Sequence, residues 1–215
     1  MLLTMDIKNK LWIALTFGAV YYLIFCSTSL LSGFIHSRIV IAFPFEKHIP
    51  FYPAWSIVYL SINLYLWAAL FVFKRWQLLA ALAIALIAET ILAGIFFIIF
   101  PVKLEYPFIT IQHQYATLIH VAQFMSMQNN YFPSLHTAFA FTCAFAYQKY
   151  CSVPAQIGFY IWALLIPIST LFIHEHQLMD LIAGFILAII AYRFIFIPFV
   201  RFFYEKINGQ IHTPQ

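Results

Sequence analysis

Two short segments of the sequence carry side chains that can attack an electrophile and move a proton. The first contains Ser134 and His136, and the second contains His176 and Asp180. Each imidazole can give or take a proton near neutral pH. If a helix begins near His176, then His176 and Asp180 lie four residues apart on one helix face. The carboxylate can then hold one imidazole N–H and leave the other nitrogen free as a nucleophile.

The residues around Ser134 indicate the start of a helix and a place for an anion. Pro133 suits a first helical turn, where its missing N–H costs nothing. The free backbone N–H groups and the positive dipole end of such a turn attract a negatively charged group, and Ser134 adds a hydroxyl donor. A phosphate is therefore the predicted ligand. A less favoured alternative is a metal site whose ligands would be His136, His174, His176 and Asp180.

The composition places these residues in a membrane protein. Of the 215 residues, 64% are hydrophobic and only 8% are charged, which is too few charges for the surface of a soluble domain. The net charge of +4 is spread along the chain, so no nucleic-acid surface is predicted. The three cysteines form no CxxC pair, so neither a disulfide framework nor a cysteine metal site is expected.

Six apolar stretches approach the ~20 residues that a bilayer span needs, and each must be helical because lipid offers no partner to an open backbone. They cover residues 11–31, 50–73, 77–100, 132–149, 152–173 and 177–200. We therefore predict an all-α membrane protein of six transmembrane helices. Residues 1–205 form one integral membrane domain and residues 206–215 a polar tail. Residues 108–127 of the long connection after the third span predict an amphipathic helix along the membrane interface.

The positions of lysine and arginine predict the orientation of these spans. The richer side holds Lys8, Lys10, Lys74, Arg75, Lys149, Arg201 and Lys206, and the other side holds Arg38, Lys47 and Lys103. We expect a multi-pass protein with both termini in the cytoplasm, in the inner or plasma membrane if the source is bacterial. Ser134, His136, His176 and Asp180 then share the non-cytoplasmic side, which agrees with a single site there.

Phe132-Pro133-Ser134-Leu135-His136, followed by Ser169, His176 and Asp180, resembles the type-2 phosphatidic acid phosphatase superfamily. That family has the patterns PSxH and SRxxxxxHxxxD on a core of six helices. The resemblance implies that His176 is a nucleophile forming a phosphohistidine, that Asp180 orients it, and that His136 protonates the leaving oxygen. It also implies that Ser134 holds phosphate oxygens, and it implies no metal and no cofactor.

Two departures from the family pattern concern cations. The arginine that follows the family's serine is Thr170 here, and the upstream KxxxxxxRP pattern is absent, although Lys103 is retained. The Asn-x-Phe-Pro-Ser-Leu-His form is more similar to the branch of inositol phosphorylceramide and sphingomyelin synthases. Candidate phosphate ligands are Ser134, Lys103, Ser169 and Thr170, and Arg38 is a further candidate cation.

A phosphomonoester carries nearly two negative charges at pH 7, whereas a phosphodiester carries one. Fewer cations therefore favour a phosphodiester lipid, with the phosphoryl headgroup passed to an alcohol or to water, as in an inositolphosphotransferase. The partners expected are this lipid, an alcohol acceptor and the surrounding membrane lipids. The alternatives are a lipid phosphomonoester phosphatase acting on phosphatidate or a polyprenyl pyrophosphate, a non-catalytic scaffold, or a small transporter. The transporter hypothesis would use Glu89 and Arg193, whose similar depths indicate either a buried pair or a protonated Glu89 facing other helices with Arg193 extending to the cytoplasmic side.

Overall fold

The computed structural model describes residues 7–107, 114–127 and 129–211, with side chains to residue 205. These residues form helices and contain no strand beyond an isolated bridge between Ile39 and Val102. The helices are α1 (Ile7–Gly33), α2 (Pro53–Val72), α3 (Trp76–Ile99), α4 (Ala116–Ser126), α5 (Leu135–Tyr147), α6 (Val153–Phe172) and α7 (Leu178–Glu205). The all-α prediction is confirmed.

Five of these helices, α1, α2, α3, α6 and α7, are long and apolar enough to cross a membrane. The chain is therefore an integral membrane protein. The sequence predicted a sixth span over 132–149, but α5 has 13 residues. At ~1.5 Å per residue it extends roughly 20 Å, which is short of the ~30 Å hydrocarbon core. The helix begins at Leu135, after the predicted start at residue 132, because Ser134 is its N-cap.

Two helices contain local irregularities. In α2, a 3₁₀ turn (Pro53–Trp55) precedes three short pieces, Ser56–Leu60, Ile62–Trp67 and Ala69–Val72. In α7, the α-helix Leu178–Ala191 passes through a π-helical turn, Tyr192–Phe196, and its backbone remains helical to Ile211. The predicted tail 206–215 thus begins within a helix, and residues 212–215 lie outside the described part.

The helix α4 lies where the sequence predicted an interfacial helix over 108–127, of which residues 108–113 lie outside the described part. Its buried Ile119 and Ala122 pack with Tyr59 of α2 and Ile173 after α6. This small cluster holds α4, which lies in the connection between α3 and α5, against α2. The periodicity of the sequence did not predict that α4 would pack against Ile173, the residue just before the second histidine segment.

The helix α5 is central, since it packs against α3, α6 and α7. Its alanines at positions 138, 140, 144 and 146 are almost fully buried, and such small residues allow helix backbones to approach closely. The helix α7 lies close to the start of α5 at Gly184, where an added Cβ atom would overlap the carbonyl oxygen of Ser134. This contact places the start of α5 beside the start of α7.

The predicted pair between Glu89 and Arg193 is not formed. The side chain of Glu89 is fully buried in α3 and accepts a hydrogen bond from the Thr142 hydroxyl of α5. Arg193 is exposed on α7. Across residues 7–107, 114–127 and 129–205 the two carboxylate ion pairs found are Lys47–Glu105 and His176–Asp180. Although Glu89 and Arg193 lie at similar depths along their helices, their side chains do not face each other.

Candidate functional site

The two histidine segments meet at one end of the helix bundle. His136 lies in the first turn of α5 and His176 lies in the turn that precedes α7. Their ring centroids are 5.8 Å apart with an interplanar angle of 62°. The ring of His136 also stacks on Tyr59 of α2 at 4.3 Å, which fixes its plane. One phosphate-sized group can therefore contact both imidazoles.

Asp180 lies directly behind His176. Its Oδ2 is 3.4 Å from Nδ1 of His176, and both side chains are buried. The same oxygen accepts the backbone N–H of Gln177 at 2.8 Å, so the carboxylate also caps the first turn of α7. Because Nδ1 faces the carboxylate, Nε2 is the nitrogen left available for a substrate.

Ser134 joins the two segments through its backbone. Its N–H donates to the carbonyl of Asp180 at 3.0 Å, and its hydroxyl oxygen accepts the N–H of Thr137 at 3.4 Å. The backbone N–H of Ser134 is thus already bonded. The hydroxyl proton remains available to an incoming oxygen, because the hydroxyl acts only as an acceptor in the cap.

Ser169 and Thr170 are fully buried at the end of α6. Their hydroxyls donate to the carbonyls of Ile166 and Pro167 within the same helix. The Thr170 carbonyl accepts the N–H groups of Glu175 and His176, at 2.9 and 3.3 Å. Both residues therefore shape the turn that presents His176, and their hydroxyls are directed to backbone rather than to the histidines.

The two candidate cations are placed differently. Arg38 donates to the Asn129 side chain at 2.7 Å and to the carbonyls of Ser32 and Val102. Lys103 is exposed, and its backbone N–H donates to the Ile39 carbonyl. Arg38 thus ties α1 to the segment before α5, and neither residue forms an ion pair with a carboxylate of the described part.

Comparison with protein families decides the class of the protein. The model of the PAP2 superfamily matches residues 74–203, which is more than half of the chain. The chain belongs to the PAP2 superfamily. The resemblance to the type-2 phosphatidic acid phosphatases is thereby confirmed, whereas the similarity to the sphingomyelin synthase branch stays a prediction. Comparison with the curated proteins and with the solved structures gave no match.

The PAP2 match includes α3 to α7 and both histidine segments, and leaves α1 and α2 outside it. Members of the superfamily are generally phosphatases and phosphotransferases of lipid phosphates. This PAP2 protein is therefore a membrane enzyme of that general class. The helix α2 nevertheless contributes to the site, since its Tyr59 stacks on His136.

Glu46 is a buried residue near the second histidine segment that the sequence did not indicate. Its Oε2 accepts the backbone N–H of Leu178 at 2.9 Å, and its Oε1 accepts that of Phe43. Together with Asp180 it occupies N–H groups at the start of α7. The positive end of this second helix would also favour an anion, but two carboxylates already occupy part of it. No local signal reveals this, because Glu46 and Leu178 lie 132 residues apart.

Glu175 is the second missed residue, buried between the two histidines of its segment. Burial raises the pKa of its carboxyl group, although a bond to Ser126 and the nearby His176 oppose the rise. Tyr131 lies near the same group, with its ring 6.4 Å from that of His176, and burial raises the pKa of its hydroxyl. The position of Glu175 next to His176 was the available sequence signal.

His174 turns away from the pair formed by His136 and His176. Its φ of 59° is left-handed, and its ring stacks on Tyr106 at 4.0 Å while Nε2 contacts the Ile49 carbonyl. Burial lowers the pKa of His174, and the bond to Ile49 opposes this. Tyr106 also donates to the His176 carbonyl at 2.8 Å. Through these contacts His174 supports the turn. Within the described residues no three His, Cys, Asp or Glu side chains are grouped to hold a metal.

Proposed function

We propose that this PAP2 protein cleaves or transfers the phosphoryl headgroup of a membrane lipid through a phosphohistidine on His176. The observation that carries the proposal is the buried His176–Asp180 pair facing His136, with ring centroids 5.8 Å apart. This arrangement supplies an oriented nucleophile and a proton carrier on the two sides of one space. The roles proposed are attack for His176, orientation for Asp180 and proton transfer for His136.

The reaction proceeds in two balanced steps. In the first, Nε2 of His176 attacks phosphorus, the P–N bond forms, and the bond from phosphorus to the leaving oxygen breaks as His136 gives that oxygen its proton. Burial and the neighbouring His176 lower the pKa of His136, so His136 takes up this proton when the bound phosphate supplies a nearby negative charge. In the second, the oxygen of water or of an alcohol attacks phosphorus and the P–N bond breaks, while His136 accepts the proton of the attacking hydroxyl. Asp180 accepts the Nδ1–H of His176 throughout, which stabilises the positive charge on the ring.

The charges around the site favour a phosphodiester and transfer to an alcohol, as in an inositolphosphotransferase. Glu46, Glu175 and Asp180 lie close to His176, whereas Arg38 is bonded to Asn129 and Lys103 is exposed. Ionised carboxylates beside His176 repel a phosphomonoester, with nearly two charges, more than a phosphodiester with one. Of the phosphate ligands proposed from the sequence, Ser134 is the one whose hydroxyl proton remains available. Ser169 and Thr170 contribute by shaping the turn that presents His176.

We also propose that the site lies on the non-cytoplasmic side and that both termini are cytoplasmic. The support is that Lys8, Lys10, Lys74 and Arg75 lie at the bundle end opposite His136 and His176, as the positive-inside rule requires. Cysteine accessibility tests this. A cysteine at His48, which is exposed near the histidine segments, should react with a membrane-impermeant maleimide on intact cells. A cysteine at Lys74 should react only after lysis, and the reverse pattern would overturn the orientation.

The function is tested with purified protein and a panel of labelled phosphodiester and phosphomonoester lipids, each with and without an alcohol acceptor. Thin-layer separation of the products distinguishes transfer from hydrolysis. We expect headgroup exchange on a phosphodiester, loss of all product in His176→Ala, and normal turnover in the matched control His48→Ala, an exposed histidine. Rapid hydrolysis of phosphatidate with no exchange on any diester would favour the phosphomonoester phosphatase. Absence of turnover on the whole panel would favour the scaffold.

A further inference from the structure

A cavity of about 370 Å³ lies at the end of the helix bundle opposite the two histidine segments. Lys74 and Arg75, in the turn between α2 and α3, line it. Tyr150, in the chain after α5, and Tyr204, at the end of α7, line it as well. The volume falls within the range of small-molecule sites, ~300–1,000 Å³, so the cavity has room for a phosphate and a group attached to it.

The polar side chains of this cavity offer hydrogen-bond donors. The Nη1 of Arg75 donates to the hydroxyl oxygen of Tyr204 at 2.6 Å, and the guanidinium carbon lies 5.2 Å from the centre of that ring. Because this hydroxyl accepts the bond from Arg75, its own proton remains available. The ammonium of Lys74 and the hydroxyl of Tyr150 add further donors, and neither cation can accept a hydrogen bond. A ligand with ionised acceptor oxygens, such as a phosphate, matches this set.

The positive charge of the cavity lacks a carboxylate partner within the described residues. The two carboxylate ion pairs of that part of the chain lie at the other end of the bundle. Glu205, beside Tyr204, is exposed and forms no ion pair there with Lys74 or Arg75. Burial raises the pKa of the Tyr150 hydroxyl, and Arg75 opposes the rise, so the guanidinium acts on this donor also. Cations in this arrangement favour an anion from outside the protein.

The surroundings of the cavity indicate an anion that is attached to hydrocarbon. Val72 and Leu78 line it beside the cations. The residues that adjoin Arg75 and Tyr204 in the chain continue this apolar surface, since the ring of Trp76 packs on that of Phe203 at 5.4 Å and is 39% exposed. Tryptophan and tyrosine are enriched at the level of the lipid headgroups. A phospholipid can therefore place its phosphate among the donors and its chains along these apolar side chains.

We propose that this cavity binds the headgroup of an anionic phospholipid, whose phosphate is held by Lys74, Arg75 and the hydroxyls of Tyr150 and Tyr204. The site is separate from the candidate active site, so the inference does not rest on the proposed function. A lipid bound there contacts the turn before α3 and the end of α7 together. It therefore stabilises this end of the bundle as well as occupying it.

Two pairs of cations provide a matched test. Lys74→Gln/Arg75→Gln removes the cations that line the cavity, whereas Lys149→Gln/Arg201→Gln removes two exposed cations of the same end that do not line it. Native mass spectrometry of the purified, delipidated protein, titrated with dioleoyl phosphatidylglycerol, measures the affinity for the first bound lipid. We expect about 30-fold weaker binding in the first variant, from ~1 kcal/mol for each cation, and less than a twofold change in the second. Equal weakening in both variants would overturn the inference.

A milder variant keeps the test valid if the loss of Arg75 impairs folding, since Arg75 also links α3 to Tyr204 of α7. Lys74 and Lys149 are both exposed, so the single variants Lys74→Gln and Lys149→Gln are matched in charge and in exposure. We expect about fivefold weaker binding of phosphatidylglycerol in Lys74→Gln, by the same conversion. Equal affinities in the two single variants would overturn the inference.

Two further ligands identify the source of the phosphate. Dioleoyl phosphatidylcholine has the same chains without a net charge and should bind more weakly, whereas equal binding would overturn the role of the cations. Inorganic phosphate should displace phosphatidylglycerol only at much higher concentration. Displacement at equal concentration would assign the cavity to the free ion and overturn the lipid headgroup. Phosphatidylglycerol should also raise the melting temperature of the delipidated wild type, and the absence of any rise would contradict the stabilising contact.

Crosslinking locates the bound lipid. A phosphatidylglycerol with a photoreactive group beside its phosphate is irradiated with the wild-type protein, and the crosslinked peptides are identified. We expect crosslinks at the turn before α3 and at the end of α7. Crosslinks confined to the starts of α5 and α7 would show that the lipid binds at the candidate active site, and they would overturn the inference.

Discussion

The backbone N–H of Ser134 donates to the backbone carbonyl of Asp180, across 3.0 Å. This single bond joins the N-cap of α5 to the first turn of α7. The distance between the two histidine segments is therefore set by main chain, and side-chain substitutions at either position leave the bond in place. The two helices also lie close together at Gly184 of α7, where an added Cβ would overlap the Ser134 carbonyl oxygen.

Gly184→Ala should destabilise the protein and reduce turnover together. Its Cβ would overlap the Ser134 carbonyl oxygen and lie 2.9 Å from Cβ of Thr137, so one helix must move. Overpacking of this kind costs typically ~1–3 kcal/mol. Thermal unfolding of the purified protein measures the cost, and kcat reports the displaced site. Gly158→Ala, which meets nothing within 4 Å, is the control. Equal melting temperatures for the two variants would contradict the close packing.

His136→Ala should slow the lipid reaction by about 10²–10⁴-fold, because general acid catalysis contributes a factor of that size. The loss should be much smaller with a p-nitrophenyl phosphodiester, whose leaving group departs without a proton. The comparison of the two substrates, in the wild type and the variant, separates proton delivery from binding. A loss of equal size on both substrates would assign His136 to phosphate positioning instead.

Glu175→Gln should remove a pH dependence of stability. Burial raises the pKa of Glu175, so between its unfolded value of ~4.3 and the higher folded value the native state binds more protons than the unfolded state. Stability from this group is therefore greatest at low pH and is lost as the pH rises through the folded pKa. Relative to the Glu175→Gln variant, the wild type should lose melting temperature across that window. A pH-independent difference between the two proteins would contradict the shift.

His174→Val should be more harmful than His174→Asn. Both substitutions remove the stack on Tyr106 and the contact with Ile49, so the difference between them reports the backbone. The φ of 59° is left-handed, which asparagine tolerates and a β-branched residue does not. The expected difference in the free energy of unfolding is ~1–2 kcal/mol. Denaturant or thermal unfolding of both variants measures it, and equal stability would place the strain elsewhere.

The local signals in the sequence predicted the helices and the reactive pairs. Five predicted spans match five long helices to within a few residues, because ~20 apolar residues in lipid have little choice but to form a helix. His176 and Asp180 were expected four residues apart on one face, and they are in contact. The exception is the predicted span 132–149. Its apolar composition came from burial within the protein, around α5, rather than from exposure to lipid.

The sequence alone therefore determined the helical membrane class, and it placed two histidines, a carboxylate and a serine in two short segments. The tertiary structure decided which polar groups are free. It bonded Ser169, Thr170 and Arg38 to neighbouring backbone or amide groups, brought Glu46 to the start of α7, and opened a cavity beside His136. The Ser169 and Thr170 bonds are local to α6, since each reaches the third residue before it. The bonds of Arg38 to Asn129 and of Glu46 to Leu178 join residues far apart in the chain, which composition and periodicity do not encode.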